Sequence, residues 1–143
     1  MVPEVNYIAV ILAVVASMVV GYAFYHPAVF GRRWMAQVGH DEESTGSGPP
    51  WIFPLVIAAS FVTAWVLAGT TFMAWEFYDG GFMSAALWTG WILWLGFTAA
   101  RVLVHDLFDT RSLQVTAITA LNELLTVTAM ALVIGAWPPG SVS

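Results

Sequence analysis

The apolar run that is most informative about the fold is LQVTAITALNELLTVTAMALVIGAW, from Leu113 to Trp137. A helix needs about 20 apolar residues to cross a hydrocarbon core of roughly 30 Å, and this run is long and apolar enough to do so. Two prolines follow it at once and end the helical pattern. The stretch therefore predicts a transmembrane helix that keeps an amide, Asn122, and a carboxylate, Glu123, near its middle.

Three more apolar runs precede this one, in a chain that is 59% hydrophobic and 9% charged. With a mean hydropathy of +0.79, the chain is too apolar for a soluble domain of this size. We therefore predict an all-α integral membrane four-helix bundle that forms a single transmembrane domain over residues 1–143. The predicted spans are approximately 7–25, 51–75, 82–104 and 113–137, and the longest connection is 26–50.

The basic residues predict the orientation of these spans. The chain has four of them, all arginines in or beside the first and third connections: Arg32, Arg33, Arg101 and Arg111. Cytoplasmic loops are enriched in basic residues, so we expect the 26–50 loop to be cytoplasmic and both termini to face outward. A cleavable signal peptide is the alternative for the first run, but its arginine pair follows the apolar segment instead of preceding it.

The composition also excludes several classes of function. Cysteine is absent, which removes disulfides, thiolate metal ligands and thiol nucleophiles. A net charge of −5 lacks the basic footprint of a nucleic-acid-binding protein. We find no phosphate-binding loop, no nucleophile elbow and no paired carboxylates with a partner base. The sequence therefore predicts no cofactor and no nucleic-acid partner, and it disfavours an enzyme without excluding one.

Small residues recur at intervals of four along three of the predicted helices. Helices associate in lipid through close packing and polar contacts, and small side chains let their backbones approach. The stripes are Ala9, Ala13, Ser17 and Gly21 in the first helix, Ser60, Ala64 and Ala68 in the second, and Ala86 and Gly90 in the third. They predict a tightly packed bundle, with a face that could also meet a second copy or a partner subunit.

The fourth helix carries a polar face, formed by Ser112, Thr116, Thr119, Glu123 and Thr126 with Asn122 alongside. Glu123 would lie roughly 16 Å along the helix, near the middle of the membrane, where an acid must be neutral, paired or next to water. One interpretation is a ligand-binding site made by Thr116, Thr119, Asn122, Glu123 and Thr126. The other is a neutral acid that only bonds neighbouring helices. Arg101 is the nearest candidate cation, but we expect it to extend to the interface or to pair with Asp106 or Asp109.

The segment FYHPAVFGRRWM, from Phe24 to Met35, predicts a helix end followed by an interfacial segment. We expect five residues to lie at the lipid interface: His26, Arg32, Arg33, Trp34 and His105. A metal site of His26 and His105 with Asp106 and Asp109 is conceivable, but solvated interfacial residues explain the pattern better, so no metal site is predicted. His40 belongs to the acidic part of the 26–50 loop, where we expect it to be solvent-exposed.

The first third of the chain resembles the family called domain of unknown function 1761. The matching positions are Asn6, Gly21, Tyr25, Pro27, Phe30, Gly31, Arg32 and Trp34, and LFDTRSLQV, from Leu107 to Val115, looks like the last connection of that family. The resemblance implies a small multi-pass membrane protein of bacteria or archaea and implies no activity. His26 and the pair Asn122 and Glu123 do not match the family pattern.

Together these observations predict a multi-pass protein of a prokaryotic plasma membrane, contacting lipids and forming a homo-oligomer or joining partner subunits. The leading hypothesis is a binding or transport-like protein whose central polar face takes a small ligand or ion. The alternative is an accessory or scaffold subunit of a larger membrane complex. A third, less favoured, is an enzyme using His26, His105 and Asp106 on a lipid headgroup.

Overall fold

The computed structural model describes residues 3–39 and 49–142, and most of this part of the chain is helical, without a strand. Four helices are long and apolar enough to cross a membrane. The α-helices are α1 (Tyr7–Phe24), α2 (Arg32–Val38), α3 (Ile52–Phe77), α4 (Phe82–Leu93), α5 (Ala100–Phe108) and α6 (Leu113–Ala136). The predicted all-α class and the four apolar spans are confirmed. Most of the predicted acidic loop, including His40, lies outside the described residues.

Polar residues at the helix starts explain why the predicted and observed bounds agree closely. The side chain of Asn6 accepts hydrogen bonds from the backbone N–H groups of Ile8 and Ala9 and so caps α1. Ser112 caps α6 in the same way, accepting from the N–H of Val115. These caps satisfy backbone donors that a helix start would otherwise leave without partners.

The third span is one apolar helix from Phe82 to Phe108 with a π-helical segment, Trp94–Ala99, between α4 and α5. It therefore continues past the predicted end at Val104. Its tryptophans reach α6: the indole N–H of Trp94 donates to the Ala120 carbonyl at 3.0 Å, and that of Trp91 donates to the Thr128 hydroxyl at 3.1 Å. These bonds join the third span to α6.

The long helices pack side by side, with α6 between α1 and α4, and with α3 against α4 and α1. The Asn6 amide donates to the Trp137 carbonyl at 3.3 Å, so the start of α1 meets the end of α6. We call this end, which also carries the Asp79–Gly81 turn, the terminal end. The opposite end holds all four basic residues, Arg32, Arg33, Arg101 and Arg111, and we call it the arginine end.

The hydrophobic core lies in the half next to the terminal end. It is built from Val10, Ala13, Val14, Ala64, Leu67, Ala68, Phe72, Phe82, Ala86, Val127, Met130, Ala131 and Ile134. The predicted small residues permit the close approach: a Cβ at Gly90 would lie 3.0 Å from Val127. Gly135 has the same role, since its Cβ would lie 2.6 Å from the Met83 sulfur. Sequence analysis did not single out Gly135.

The start of α3, next to the arginine end, is not closely packed. Every residue from Trp51, which precedes α3, to Ala59 is exposed, on all faces of the helix. Other elements do bury side chains near this end, among them Phe24, Met35 and Val115. The tight packing expected for the bundle is therefore not seen at the start of α3.

Candidate functional site

Glu123 lies on the face of α6 that is directed toward the other helices. Thr116, Val127 and Met130 lie one or two turns away on that face, and all three are buried. The opposite face carries the exposed leucines Leu121, Leu125 and Leu132. The half-buried Glu123 side chain therefore points inward and not into the surrounding lipid.

Glu123 lies one turn from Val127, the α6 residue of the main hydrophobic core that is nearest to the arginine end. Further toward that end, Val115 and Thr116 are buried as well, so Glu123 lies between two buried parts of α6. Within the described residues, both ion pairs are made by Arg111, to Asp106 and to Asp109, and neither involves Glu123. The Glu123 carboxyl group thus lies on the packed face of α6 without an arginine partner among the described residues.

Asn122 is buried beside Glu123, with 7% of its surface exposed. Its Oδ1 atom has no hydrogen-bond partner in the described part of the chain. A buried polar group left without a partner costs about 1–3 kcal/mol, so such an atom is unusual unless a ligand or water meets it. The site therefore offers an unused acceptor next to the carboxylate.

The threonines predicted to share this site separate into two groups. Thr119 and Thr126 are both half-buried. Thr119 lies about one turn from Glu123 toward the arginine end, and Thr126 lies nearly one turn from it toward the terminal end. Thr116 instead donates its hydroxyl proton to Asp106 at 2.8 Å and so belongs to the contact between α5 and α6. Thr116 therefore has a partner on α5, while Thr119 and Thr126 lie within one turn of Glu123 along α6.

Tyr25 is a residue of this region that sequence analysis did not assign to the site. It follows the last residue of α1, is half-buried, and packs its ring against Trp34 with centroids 5.4 Å apart. Burial raises the pKa of the Tyr25 hydroxyl, and the charge of nearby Glu123 raises it further. Because α1 and α6 are distant in sequence, no local pattern could reveal this proximity.

A cavity of about 410 Å³ lies at mid-depth between α3 and the third span. Its walls are Val62, Thr63, Val66, Leu67, Leu93, Trp94, Phe97, Thr98 and Val127. Glu123 lies one turn, about 6 Å along the axis, from the Val127 wall. On α1, a Cβ at Gly21 would meet nothing within 4 Å, although Ser17 and Phe24 on the same face are buried. The interior near Glu123 thus retains open space.

The predicted interfacial residues lie at the arginine end. Arg32, Arg33, His26 and His105 are exposed, and Trp34 is half-buried. His26 also has a structural role. Its Nδ1 accepts a hydrogen bond from the Ala28 N–H at the start of the π-helical turn Pro27–Gly31. A Cβ at Gly31 would collide with the Tyr25 carbonyl oxygen, which explains the glycine at the end of this turn.

The ion pairs at the arginine end differ from the expected ones. Arg111, and not Arg101, contacts Asp109 at 3.5 Å and Asp106 at 4.0 Å. The predicted pairing of Arg101 with either aspartate is therefore wrong, because the turn after α5 brings Arg111 back to them. The alternative metal site also fails on geometry: no group of three histidine or acidic side chains in the described residues could hold a metal ion.

The comparisons with known proteins identify a family and assign no activity. No curated protein and no solved structure matches the chain. One family profile, described as "Protein of unknown function (DUF1761)", matches residues 8–135, which includes all four spans almost completely. The chain therefore belongs to the DUF1761 family of proteins of unknown function.

Proposed function

We propose that this chain is a non-enzymatic binding or transport-like protein of a prokaryotic plasma membrane, whose polar face at Thr119, Asn122, Glu123 and Thr126 takes a small ligand or ion. In this proposal the four spans form a bundle with both termini outside. Arg32, Arg33 and Trp34 contact lipid headgroups on the cytoplasmic side, and the chain forms a homo-oligomer.

The observation that supports the proposal most directly is the position of Glu123. Its carboxyl group lies on the packed face of α6, between the buried Thr116 and Val127, without an arginine partner among the described residues. Ionisable groups inside membranes are costly, and they commonly mark binding sites or ion pathways. The unpartnered oxygen of Asn122 adds a second acceptor at this depth.

The test compares two variants that remove the same charge. Glu123→Gln changes the interior carboxyl, while Glu76→Gln changes an exposed one near the terminal end and is the matched control. Thermal unfolding of the full chain in mild detergent is measured with sodium, potassium, ammonium and methylammonium chlorides and with tetraphenylphosphonium chloride. A bound ligand raises the unfolding temperature. We expect at least one cation to stabilise the wild type and Glu76→Gln but not Glu123→Gln.

A uniform response of all three proteins to every cation would contradict the proposal, because Glu123 would then contribute nothing to binding. Glu123→Gln is nearly isosteric, so size-exclusion chromatography should show the same single species as the wild type. This comparison separates a lost ligand from a lost fold.

The alternative, an accessory subunit of a larger membrane complex, is favoured by one observation: the exposed half of α3 from Trp51 to Ala59 has no packed face. In that case partner helices would cover α3. Purification in mild detergent would then recover a second protein in fixed proportion to this chain, and recovery of this chain alone would argue against it.

A further inference from the structure

The cavity next to Glu123 has walls that suit an apolar ligand. Seven of its nine wall residues are apolar or aromatic, and the other two are the threonines Thr63 and Thr98. The Thr63 hydroxyl already donates to the Ala59 carbonyl of its own helix at 3.0 Å. A volume of about 410 Å³ lies within the roughly 300–1,000 Å³ of ordinary small-molecule pockets.

The charges around this cavity select the sign of the ligand. Glu123 does not line the cavity, but it lies one turn from the Val127 wall on the packed face of α6. The arginines are placed at the arginine end, with Arg32, Arg33 and Arg101 exposed and Arg111 beside Asp109. A cavity with a carboxylate one turn away and its cations at the far end attracts a positive group and disfavours an anion.

The aromatic residues add a second reason for a cation. Trp94 and Phe97 lie on the cavity wall, and the face of an aromatic ring attracts a cation. The indole of Trp94 is held in place by its hydrogen bond to the Ala120 carbonyl. A fixed aromatic face and a carboxylate on the neighbouring turn of α6 can act on one ligand together.

The route to the cavity is the gap between α3 and the third span. Val62 and Val66 on the α3 wall and Phe97 on the facing wall are exposed, with Phe97 at 77%. In a membrane this gap faces acyl chains, so the entering molecule has to partition into lipid. An entrance that opens to acyl chains does not favour the entry of a small hydrated ion.

Resting on the proposed function, we infer that the ligand is a lipophilic monovalent organic cation, which enters from the lipid between α3 and the third span. Its apolar groups contact Val66, Leu67, Trp94 and Phe97, and its charge lies toward Glu123.

Equilibrium dialysis of the full chain in detergent with tetraphenylphosphonium tests this inference. Triphenylphosphine oxide, a neutral aromatic compound of related shape, is the comparison ligand. We expect saturable binding of tetraphenylphosphonium that weakens at least about tenfold in Glu123→Gln and is unchanged in Glu76→Gln. Val66→Phe, which narrows the cavity without removing a charge, should weaken it as well. The neutral compound should bind several-fold less tightly than the cation.

Three results would overturn the inference. Equal binding of tetraphenylphosphonium by Glu123→Gln and the wild type would mean that the cation only partitions into detergent or binds elsewhere. Stabilisation by sodium or potassium that depends on Glu123, without any tetraphenylphosphonium binding, would overturn the organic cation and leave the proposed ion site intact. If no measured effect depended on Glu123, both the organic cation and the proposed ion site would be contradicted.

Discussion

The hydroxyl of Thr116 donates a hydrogen bond to Oδ2 of Asp106 at 2.8 Å and joins the first turn of α6 to the last turn of α5. Asp106 is buried, with 7% of its surface exposed, and it also lies 4.0 Å from the Arg111 guanidinium. A buried carboxylate requires such partners, since burial without them is costly. This contact links α5 to α6 across the turn at the arginine end.

Replacing Thr116 by valine should destabilise the protein by about 1–3 kcal/mol, because the buried Asp106 carboxylate loses a hydrogen bond while the shape of the side chain at position 116 is retained. Thr63→Val is the matched control, since the Thr63 hydroxyl is exposed and bonds only within its own helix. The unfolding temperature in mild detergent measures both. Equal unfolding temperatures for the two variants would show that the bond to Asp106 contributes no stability.

Gly135→Ala should separate α4 from α6. The new Cβ would lie 2.6 Å from the Met83 sulfur and 3.0 Å from the Met83 Cα, so the backbone has to move as well as the side chain. Overpacking of this kind costs about 1–3 kcal/mol. Gly96→Ala is the control, because its Cβ meets nothing within 4 Å. We expect a lower unfolding temperature for Gly135→Ala only, and a similar loss in both variants would refute the contact.

The Asn6 side chain makes two kinds of hydrogen bond, and two substitutions can distinguish their contributions to stability. Its oxygen caps α1, and its amide N–H group donates to the carbonyls of Trp137 and Pro138. Asn6→Asp keeps the capping oxygen and loses only the amide donor, whereas Asn6→Ala loses both. Loss of a helix cap costs about 0.5–2 kcal/mol. Asn6→Ala should therefore unfold at a lower temperature than Asn6→Asp, and the reverse order would contradict the capping role.

The proposed orientation can be measured directly, because the chain contains no cysteine. Ser141 near the terminal end and Ala36 on α2 are both exposed. With the termini outside, a membrane-impermeant maleimide should label Ser141→Cys in intact cells and Ala36→Cys only after permeabilisation. Labelling in the opposite order would reverse the orientation and place the arginine end outside the cell.

The all-α class, the four apolar spans and the place of Glu123 along the fourth helix could be predicted from the sequence. Each of these depends on local properties: the hydropathy of about 20 consecutive residues, the capping residues Asn6 and Ser112, and the rise of a helix. For the same reason the helix ends agree closely with expectation, apart from the longer third span.

Which residues meet depended on how the helices pack against one another. Thr116 bonds to Asp106, and Arg111, not Arg101, pairs with the aspartates. The exposure of the start of α3 also follows from the positions of the other helices. Helices in lipid associate through close contacts between side chains that are distant in sequence, and no single helix contains the information on its neighbours.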